Sequence, residues 1–303
     1  LKLNLLDIRT SHEFKKTHIK RSKWINRTNL RFHNFNRKKD FLIIYNDLSE
    51  NQCLDNFTMT WDSDRECNEA ARWITPFARQ PHHLTDISPF ISLLKPGGNK
   101  TIKFQESGWP NSLLTMKIRL YHNIDDSPTA KEIIPIWGGT VLFNPEYDDN
   151  RPPTPFEIPS YAEKVEFVSY LTGHGWGNGT CYNCCEFCDS KHIFSVNGGV
   201  YEFEHSYPEA SQTTHCMSLE MIGEGTIPNQ YGTWGYGRAG WCPGLDVDLN
   251  VSDITEYVLA GEENIIDYNA CRVSGTSCVT PPTCGTCGYC PEIAFSSYIV
   301  IYY

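Results

Sequence analysis

The chain has 303 residues, of which 40% are hydrophobic and 20% are charged, and its formal net charge at pH 7 is −10. This composition excludes a largely disordered protein, and the sequence contains no apolar run of about 18 residues that would span a bilayer. Residues 1–40 carry 12 Lys and Arg against 3 Asp and Glu, whereas the remainder carries 14 against 33. The acidic body excludes nucleic acid as the main partner, and we expect the basic arm to be a solvated segment.

Short apolar segments rich in β-branched and aromatic residues recur along the chain, separated by Gly, Pro, Asn and Asp. This is the pattern of β-strands. The predicted strands, in chain order, are Phe41–Tyr45, Phe57–Trp61, Arg72–Phe77, Met116–Tyr121, Ile133–Trp137, Val165–Leu171, Ile193–Val196, Val200–Phe203 and Ser296–Tyr302. Few stretches show a helical period, so the sequence predicts an all-β fold of sandwich or jelly-roll type.

A proline-rich stretch, Arg151–Ser160, is the best domain boundary. Proline fixes φ and removes a backbone donor, so we expect an extended linker here. The prediction is an N-terminal β domain over residues 1–150, which begins with the basic arm, and a cysteine-rich β domain over residues 161–303.

Eleven of the thirteen cysteines lie between Cys181 and Cys290. Such density is typical of disulfides formed in an oxidising compartment, and the odd total leaves at least one thiol unpaired or bonded between chains. Asn-x-Ser/Thr acceptor sites for N-glycosylation agree with that compartment. They are Asn26, Asn56, Asn99, Asn178 and Asn250. We therefore expect a secreted or lumenal protein.

The densest cysteine cluster, residues 181–188, contains two C-x-x-C spacings around Glu186. Thiolates at this spacing can bind zinc, and residues 284–290 could supply further ligands. The oxidising compartment and the carboxylate inside the cluster favour disulfides instead. A bond between Cys184 and Cys188 would close a tight loop and fix the direction of Glu186, either for catalysis or only for local rigidity.

A glycine-rich segment, Gly237–Gly244, contains Arg238 and Trp241. Glycines let the backbone approach a ligand, Arg offers a planar fork of donors, and Trp offers a flat face for a sugar ring. The alternative is an ordinary turn with a packed Trp.

Acidic side chains beside predicted strands are further candidates for hydrolytic chemistry. Two carboxylates in different environments commonly activate water and bind the substrate. The candidates are Glu106, Glu186, Asp55, Asp62 and Asp64. The motifs of serine hydrolases, HExxH zinc proteases and P-loop enzymes do not occur.

Several of these segments together resemble the F-type peptide N-glycosidases, the PNGase F family. The resemblance covers roughly residues 41–303 and is strongest from Cys184 to Gly244. The segments that carry it are Ala71–Phe77 (ARWITPF), Leu84–Leu94 (LTDISPFISLL), Phe104–Trp109 (FQESGW), Cys184–Cys188 (CCEFC), Arg238–Gly244 (RAGWCPG) and Ser296–Tyr302 (SSYIVIY).

The resemblance implies two eight-stranded antiparallel jelly rolls packed side by side, with the active site between them. It implies hydrolysis of the amide between Asn and the first N-acetylglucosamine (GlcNAc) of an N-glycan, on N-glycosylated peptides and proteins, without a metal or other cofactor. We expect a monomer.

The resemblance also assigns residues. Glu186 matches the Glu of the family's C-x-E-aromatic-C loop, and Glu106 matches the Glu that follows one of the family's strands, so both are predicted to be catalytic residues. Cys184–Cys188 and Cys216–Cys242 match its disulfides. The residues expected to bind substrate are Arg238, Trp241, Trp109, Phe187, His174 and Trp176.

The family's essential Asp lies in a Trp-Asp-Arg motif that this sequence lacks. Asp55, which follows Cys53 and precedes a predicted strand, is the first choice for that role. Asp64 and Asp62 are the alternatives. Because of this departure, two other functions remain open: a glycan-binding module that retains the groove without turnover, and a structural extracellular protein that binds no glycopeptide.

Overall fold

The computed structural model describes most of the chain from residue 68 onward. The residues described are 68–75, 77, 79–95, 102, 104, 115–120, 128–177, 179–199, 201–228, 232–285 and 288–303, together with the backbone of three two-residue strands before residue 68. The chain forms two compact units, Leu1–Leu48 with Leu113–Ile124, and Ser49–Ser112 with Asp125–Tyr303. The domain boundary at residues 151–160 stays a prediction.

Two strand pairs belong to the first unit. β1 (Leu6–Asp7) and β2 (Lys23–Trp24) pair in parallel. β3 (Ile43–Ile44) and β4 (Met116–Lys117) pair in antiparallel fashion. β3 and β4 each lie within a strand that the sequence predicts.

The first sheet of the second unit has five antiparallel strands. They are β5 (Ala130–Pro135), β6 (Thr140–Leu142), β8 (Lys164–His174), β11 (Asn250–Asp253) and β14 (Glu292–Tyr302). Hydrogen bonds order them β11–β8–β14–β5, and β6 pairs with the first residues of β14. The two central strands pair with each other along their entire length.

The second sheet also has five antiparallel strands. They are β7 (Thr154–Glu157), β9 (Ser190–Val196), β10 (Tyr201–Ser206), β12 (Glu263–Ser274) and β13 (Ser277–Val279). The order is β10–β9–β12–β13, and β7 pairs with the first residues of β12. β7 lies inside the proline-rich stretch predicted as a linker.

Helices are few and short in the described residues. α1 (Ile91–Leu94) follows a 3₁₀ turn. α2 (Leu219–Glu224) is capped at its N-terminus by Ser218, whose side chain accepts a hydrogen bond from the Met221 N–H. The 3₁₀ turns are Ser88–Phe90, Asp148–Asn150, Gly179–Cys181, Pro208–Ser211, His215–Met217 and Thr255–Tyr257.

The chain passes repeatedly between the two sheets. From Thr154 to Tyr302 the described residues form eight strands, β7 to β14, and the connections from β7 to β8, β8 to β9, β10 to β11, β11 to β12 and β13 to β14 all change sheet. This crossing connectivity is typical of jelly-roll sandwiches. The predicted all-β fold class is confirmed.

Aromatic rings from both sheets form the core between them. In β9 every second side chain is buried, which places Phe194 against the opposite sheet. Its ring centroid lies 4.8 Å from that of Phe167 in β8 and 4.8 Å from that of Tyr268 in β12. Tyr268 in turn lies 5.1 Å from Phe295 of β14. The alternation of apolar and polar residues thus directs the packing of the two sheets.

The other face of the central strands is covered by the described residues between Glu69 and Phe90, which we call the covering segment. In a sheet with one solvated face, buried and exposed side chains would alternate along each strand. In β8 and in β14, however, nine of the eleven residues are buried. Phe90 stacks on Tyr170 with ring centroids 6.5 Å apart and meets Tyr298 edge-on at 5.3 Å. The Tyr170 hydroxyl donates to the Ala70 carbonyl at 2.9 Å.

The covering segment contains a buried ion pair, Glu69–Arg72. Both oxygens of Glu69 accept hydrogen bonds from Arg72, each at 2.7 Å, and both residues are buried. Arg72 also donates to the Thr172 hydroxyl at 2.9 Å and to the Ala294 carbonyl at 2.8 Å. The Ser296 hydroxyl donates to Glu69. The segment is thereby attached to both central strands.

The described residues of the predicted strand Arg72–Phe77, which are 72–75 and 77, do not form a strand. Among them only Trp73 makes a β-bridge, to Asp246. The apolar, β-branched pattern suggested an extended ladder, but the Arg72 side chain is committed to its buried partners and Thr75 precedes a proline. The segment therefore covers a sheet without joining it.

His192 should make folding stability depend on pH. It is fully buried, with its two ring nitrogens bonded to Tyr268 and Ser190, and burial together with the charge of His205 lowers its pKa to about 3. Below the unfolded-state pKa of about 6.5, His192 is protonated in the unfolded chain but stays neutral in the native state. The free energy of unfolding therefore decreases as the pH is lowered, until the folded-state pKa is reached. Between pH 6.5 and 5.0 this contributes a loss of about 2 kcal/mol.

The measurement is urea unfolding of wild type and His192→Gln at the two pH values. Partly buried carboxyls with raised pKa values change stability in the opposite direction, so the difference between the two proteins is the quantity of interest. The variant should lose about 2 kcal/mol less than wild type on acidification. The exposed His82 supplies the control, His82→Gln. Equal losses in wild type and His192→Gln would contradict the prediction.

Candidate functional site

Disulfides hold the loops at one end of the sandwich. The pairings Cys184–Cys188 and Cys216–Cys242, which the resemblance implied, are both present, with Cα–Cα distances of 4.8 and 5.6 Å. Cys271–Cys278 and Cys284–Cys290 are also bonded, and Cys181 is in a disulfide as well. Among the described cysteines, Cys185 is a free, buried thiol whose pKa burial raises to about 12.

Backbone hydrogen bonds fix Glu186 between two segments. Its N–H donates to the Gly175 carbonyl, immediately after β8, at 3.0 Å. Its own carbonyl accepts from the Ala239 N–H at 3.0 Å. The preceding Cys185 N–H donates to the His174 carbonyl at 3.2 Å. Together with the Cys184–Cys188 bond, these contacts hold the backbone of Glu186 in place.

The side chain of Glu186 forms an ion pair with Arg238. The Arg238 Nε donates to Glu186 Oε1 at 2.8 Å, and 15% of the Glu186 side chain is exposed against 2% for Arg238. The other guanidinium nitrogens donate to three backbone carbonyls, of Thr233, Trp234 and Tyr236, at 3.1, 3.3 and 2.8 Å. Four of the five Arg238 N–H groups thus donate hydrogen bonds. Because Arg238 binds Oε1 of Glu186, the other carboxylate oxygen, Oε2, is the part of the pair that a ligand can bind.

The electrostatics of this pair combine burial with charge attraction. Burial raises the pKa of Glu186, and the Arg238 charge and hydrogen bond oppose that rise only in part. Burial lowers the pKa of Arg238, again opposed by its partner. The carboxylate is therefore a better proton acceptor than an ordinary surface Glu.

Aromatic rings surround the guanidinium. The Arg238 Cζ lies 5.0 Å from the ring centroid of Phe187 and 4.7 Å from that of Trp241. Tyr236 meets Phe187 edge-on at 6.0 Å. These rings exclude water from the pair and strengthen its electrostatic interaction.

His174 is a neutral, half-buried support for Trp241. Their rings stack with centroids 5.5 Å apart, and the Trp241 Nε1 donates to the Gly173 carbonyl at 2.8 Å. Thr172 accepts from Arg72, so its single proton is available for His174 Nε2, 2.7 Å away. Burial and the Arg72 charge lower the pKa of His174 to about 3. His174 therefore orients the indole in the neutral form and cannot act as a cationic group at pH 7.

The structure brings together Glu186, Arg238, Trp241, Phe187 and His174. Trp176, the sixth described member of the predicted set, follows the Gly175 carbonyl that binds Glu186 and is exposed. The other predictions lie outside the described residues. They are Asp55, Glu106 and Trp109, and the alternatives Asp62 and Asp64.

Sequence reasoning missed the residues behind the site. The three carbonyls that hold Arg238 are main-chain groups in a stretch without a recognisable motif. Thr172 is a lone polar residue in an apolar strand, which could have suggested a buried role. The spacing Glu69-x-x-Arg72 in an otherwise apolar segment was a signal for a buried ion pair that the prediction did not use.

A second polar cluster joins residues 83–85 to the stretch after Gly244. Asp246 accepts from the Thr85 hydroxyl and the Leu84 N–H, at 2.7 and 3.1 Å, and lies 2.8 Å from His83 Nδ1. The Trp73 ring stacks on His83. These bonds attach the covering segment to the loop that follows Arg238.

Asn250 is the only glycosylation signal within the described residues. Its side-chain amide donates to the Tyr207 hydroxyl at 3.0 Å and to the Ser169 carbonyl at 3.4 Å. A glycan would replace one of the two N–H groups of this nitrogen, so at most one of the two bonds would remain.

Within the part of the chain that the structure describes, no group of three or more His, Cys, Asp or Glu side chains is arranged to bind a metal ion. Over the same residues, no helix has the length and apolar character needed to cross a membrane.

Comparison with known proteins finds one matching family model and a related amidase. The family model "Peptide-N-glycosidase F, C terminal" matches residues 143–299, just over half of the chain. A peptide-N(4)-(N-acetyl-beta-D-glucosaminyl)asparagine amidase F from Elizabethkingia miricola is 23% identical over 251 residues, which are 72% of this chain. The chain covers 65% of that relative, slightly less than two thirds.

Solved structures of such amidases are similar to part of the chain. The crystal structure of a peptide-N(4)-(N-acetyl-beta-D-glucosaminyl) asparagine amidase at 2.2 Å has a TM-score of 0.40 and 19% identity, over 57% of this chain and 53% of that one. PNGase F from Flavobacterium meningosepticum has a TM-score of 0.38 and 19% identity, over 56% and 51%.

Proposed function

The chain belongs to the peptide-N-glycosidase F family, and on that premise we propose that it hydrolyses the amide bond between Asn and the first GlcNAc of N-linked glycans. The products are a peptide with Asp in place of Asn and a glycosylamine, which then loses ammonia. The observation that carries the proposal is the ion pair between Glu186 and Arg238. Glu186 lies in the loop that the Cys184–Cys188 disulfide closes, and the Arg238 guanidinium packs on two aromatic rings.

Glu186 suits the binding of sugar hydroxyls. Its Oε1 is occupied by Arg238, and Oε2 makes no hydrogen bond to any described residue. A carboxylate oxygen held in one direction, in a partly dry setting, makes stronger hydrogen bonds to hydroxyl groups or to a water than a mobile surface carboxylate. We assign Glu186 to binding the first sugar and orienting the attacking water.

Arg238 acts on Glu186 as a positioning residue in this proposal. It is nearly fully buried, and its remaining donor capacity is one N–H. Negative charge that develops on the Asn carbonyl oxygen is then stabilised mainly by backbone N–H groups. Trp241, held by His174, supplies an apolar wall.

The remaining chemistry belongs to residues outside the described part of the chain. We propose that Asp55 deprotonates the attacking water, with Asp64 and Asp62 as alternatives, and that Glu106 binds substrate through an ordered water with Trp109 beside it. The substrates are N-glycosylated peptides and proteins. No cofactor is invoked, the disulfides fit a secreted or lumenal protein, and we propose that it acts as a monomer.

The test uses purified, oxidised protein and a denatured N-glycoprotein in water enriched in heavy oxygen. Mass analysis of the peptides should show Asp with one heavy oxygen at former glycosylation sites. Asn variants of Asp55, Asp62 and Asp64 then identify the water-activating carboxylate. If the folded protein converts no site but binds the glycopeptide saturably, the amidase proposal fails and a glycan-binding module replaces it.

Arg238 should influence the pH dependence of turnover through Glu186. Because its charge lowers the pKa of Glu186, Arg238→Gln should raise that pKa and move the acidic limb of the kcat/KM profile to higher pH. Arg238→Lys keeps the charge but not the fork, so it should lose about tenfold in kcat/KM with the acidic limb close to that of wild type. An Arg238→Gln limb at the wild-type pH would contradict the electrostatic role.

A further inference from the structure

Two exposed aromatic rings stack on each other beside the Glu186 loop. Trp176 is 51% exposed and Tyr289 is 60% exposed, and their ring centroids lie 5.0 Å apart with planes inclined by 26°. Most of the other aromatic side chains of the sandwich are buried in its core. A solvent-facing Trp and Tyr that contact each other leave a continuous apolar surface in water, which folding alone does not require.

The backbone beneath this pair is fixed. Gly175 precedes Trp176 with φ +73°, and a Cβ there would lie 1.9 Å from the Cys290 carbonyl oxygen. Only glycine permits this approach. Cys290 follows Tyr289, is bonded to Cys284, and leads through Pro291, whose carbonyl accepts from the Phe143 N–H at 2.8 Å. The two rings are therefore presented from rigid segments.

The pair also adjoins the proposed catalytic loop. The carbonyls of Gly175 and Gly177, on either side of Trp176, accept hydrogen bonds from Glu186 and Asn183 at 3.0 and 2.7 Å. Glu186 is bonded on its carbonyl side to Ala239, in the Arg238–Trp241 segment. Trp176 is thus the residue next to the carbonyl that holds the Glu186 backbone.

Resting on the proposed function, we propose that Trp176 and Tyr289 form a platform that stacks on a sugar ring of the N-glycan beyond the two GlcNAc units at the linkage. A sugar ring presents an apolar face of C–H groups, which flat aromatic surfaces bury without the need for a charge. Trp241 is already in contact with His174 and Arg238, whereas Trp176 and Tyr289 are both more than half exposed.

Charge argues for a neutral sugar over a nucleic-acid base. The chain has a net charge of −10, and the basic residues concentrate in residues 1–40. Nucleotide stacking sites combine aromatic rings with cations for the phosphates. Pre-organised rings lose little conformational entropy on binding, which suits a weak, repeated contact with an extended glycan.

The experiment compares two glycopeptides with the same peptide, one bearing chitobiose alone and one bearing a complete branched N-glycan. For Trp176→Ala and Tyr289→Ala, the KM for the complete glycan should rise about tenfold more than the KM for chitobiose, with kcat little changed. Tyr161→Ala is the control, because Tyr161 is 61% exposed but contacts Tyr303, at the end of β14 remote from Glu292 and the site. It should leave both KM values at wild-type level.

A binding measurement separates this proposal from the amidase itself. The free branched oligosaccharide, without peptide, is titrated by calorimetry into wild type, Glu186→Gln and Trp176→Ala. Binding that Trp176→Ala abolishes supports the platform even if wild type turns over no substrate. Turnover by wild type with KM values that rise equally for both glycopeptides, or not at all, would overturn the platform while the amidase stands. Absence of both binding and turnover would overturn both.

Discussion

Replacing Glu186 by Gln is expected to lower kcat/KM for an N-glycopeptide about a hundredfold while the protein stays folded. Gln has the same shape, and its Oε1 can still accept from Arg238 Nε, so the loop and its disulfide are kept. The loss is the negative charge that strengthens hydrogen bonds to the substrate and water. A hydrogen bond to a charged group contributes about 1.5–3 kcal/mol, and 2.7 kcal/mol corresponds to about a hundredfold in rate.

A control must show that the effect belongs to the site. Asp148 is another partly buried carboxylate whose pKa is raised by burial, and it accepts a hydrogen bond from the Ala270 N–H in the second sheet. Asp148→Asn should retain activity within about twofold. The two variants and wild type are compared by initial rates on one fluorescent glycopeptide. Full activity in Glu186→Gln would show that Glu186 neither binds the sugar nor orients the water.

Local patterns in the sequence were sufficient for much of the second unit. The alternation in β9 and the continuous apolar runs of β8 and β14 gave strands in the right places, because side-chain period and burial act residue by residue. The position of Glu186 also followed from its neighbours, since a bond between Cys184 and Cys188 closes a loop of only a few residues. In both cases the determining contacts are close in sequence.

Other features depended on contacts distant in sequence. β12 (ENIIDYNACRVS) was missed because its exposed positions carry Glu, Asp and Asn, which intrinsic propensity assigns to turns, yet pairing with β9 and β7 holds it extended. Arg72–Phe77 was predicted as a strand and instead covers one. The order of Trp176, Glu186 and Trp241 around the site arises from backbone bonds between segments more than 50 residues apart in places, which spacing cannot supply.

Arg72→Met is expected to lower the free energy of unfolding by about 3–5 kcal/mol, because it leaves a buried carboxylate without its partner. Glu69 would keep only the Ser296 hydroxyl, while Thr172 and Ala294 would each lose a donor. For a unit of this size the loss corresponds to roughly 10 °C in melting temperature. The exposed pair Lys191–Glu204, at 2.9 Å, provides the matched control: Lys191→Met should cost about 1 kcal/mol or less.

The double variant Glu69→Leu/Arg72→Met separates the charge from the packing. If the cost of the single change is the uncompensated carboxylate, removing it as well should restore at least half of the lost stability, since apolar residues of similar volume replace buried ion pairs well. Recovery is incomplete because the Ser296 hydroxyl loses its acceptor, and the Thr172 hydroxyl and the Ala294 carbonyl each lose the donor that Arg72 supplied. A double variant as unstable as Arg72→Met would instead show that the bonds of Arg72 to Thr172 and Ala294 hold the covering segment. The bonds that run from Arg72 through Thr172 to His174 would then connect that segment to the site, in addition to the bonds of Asp246.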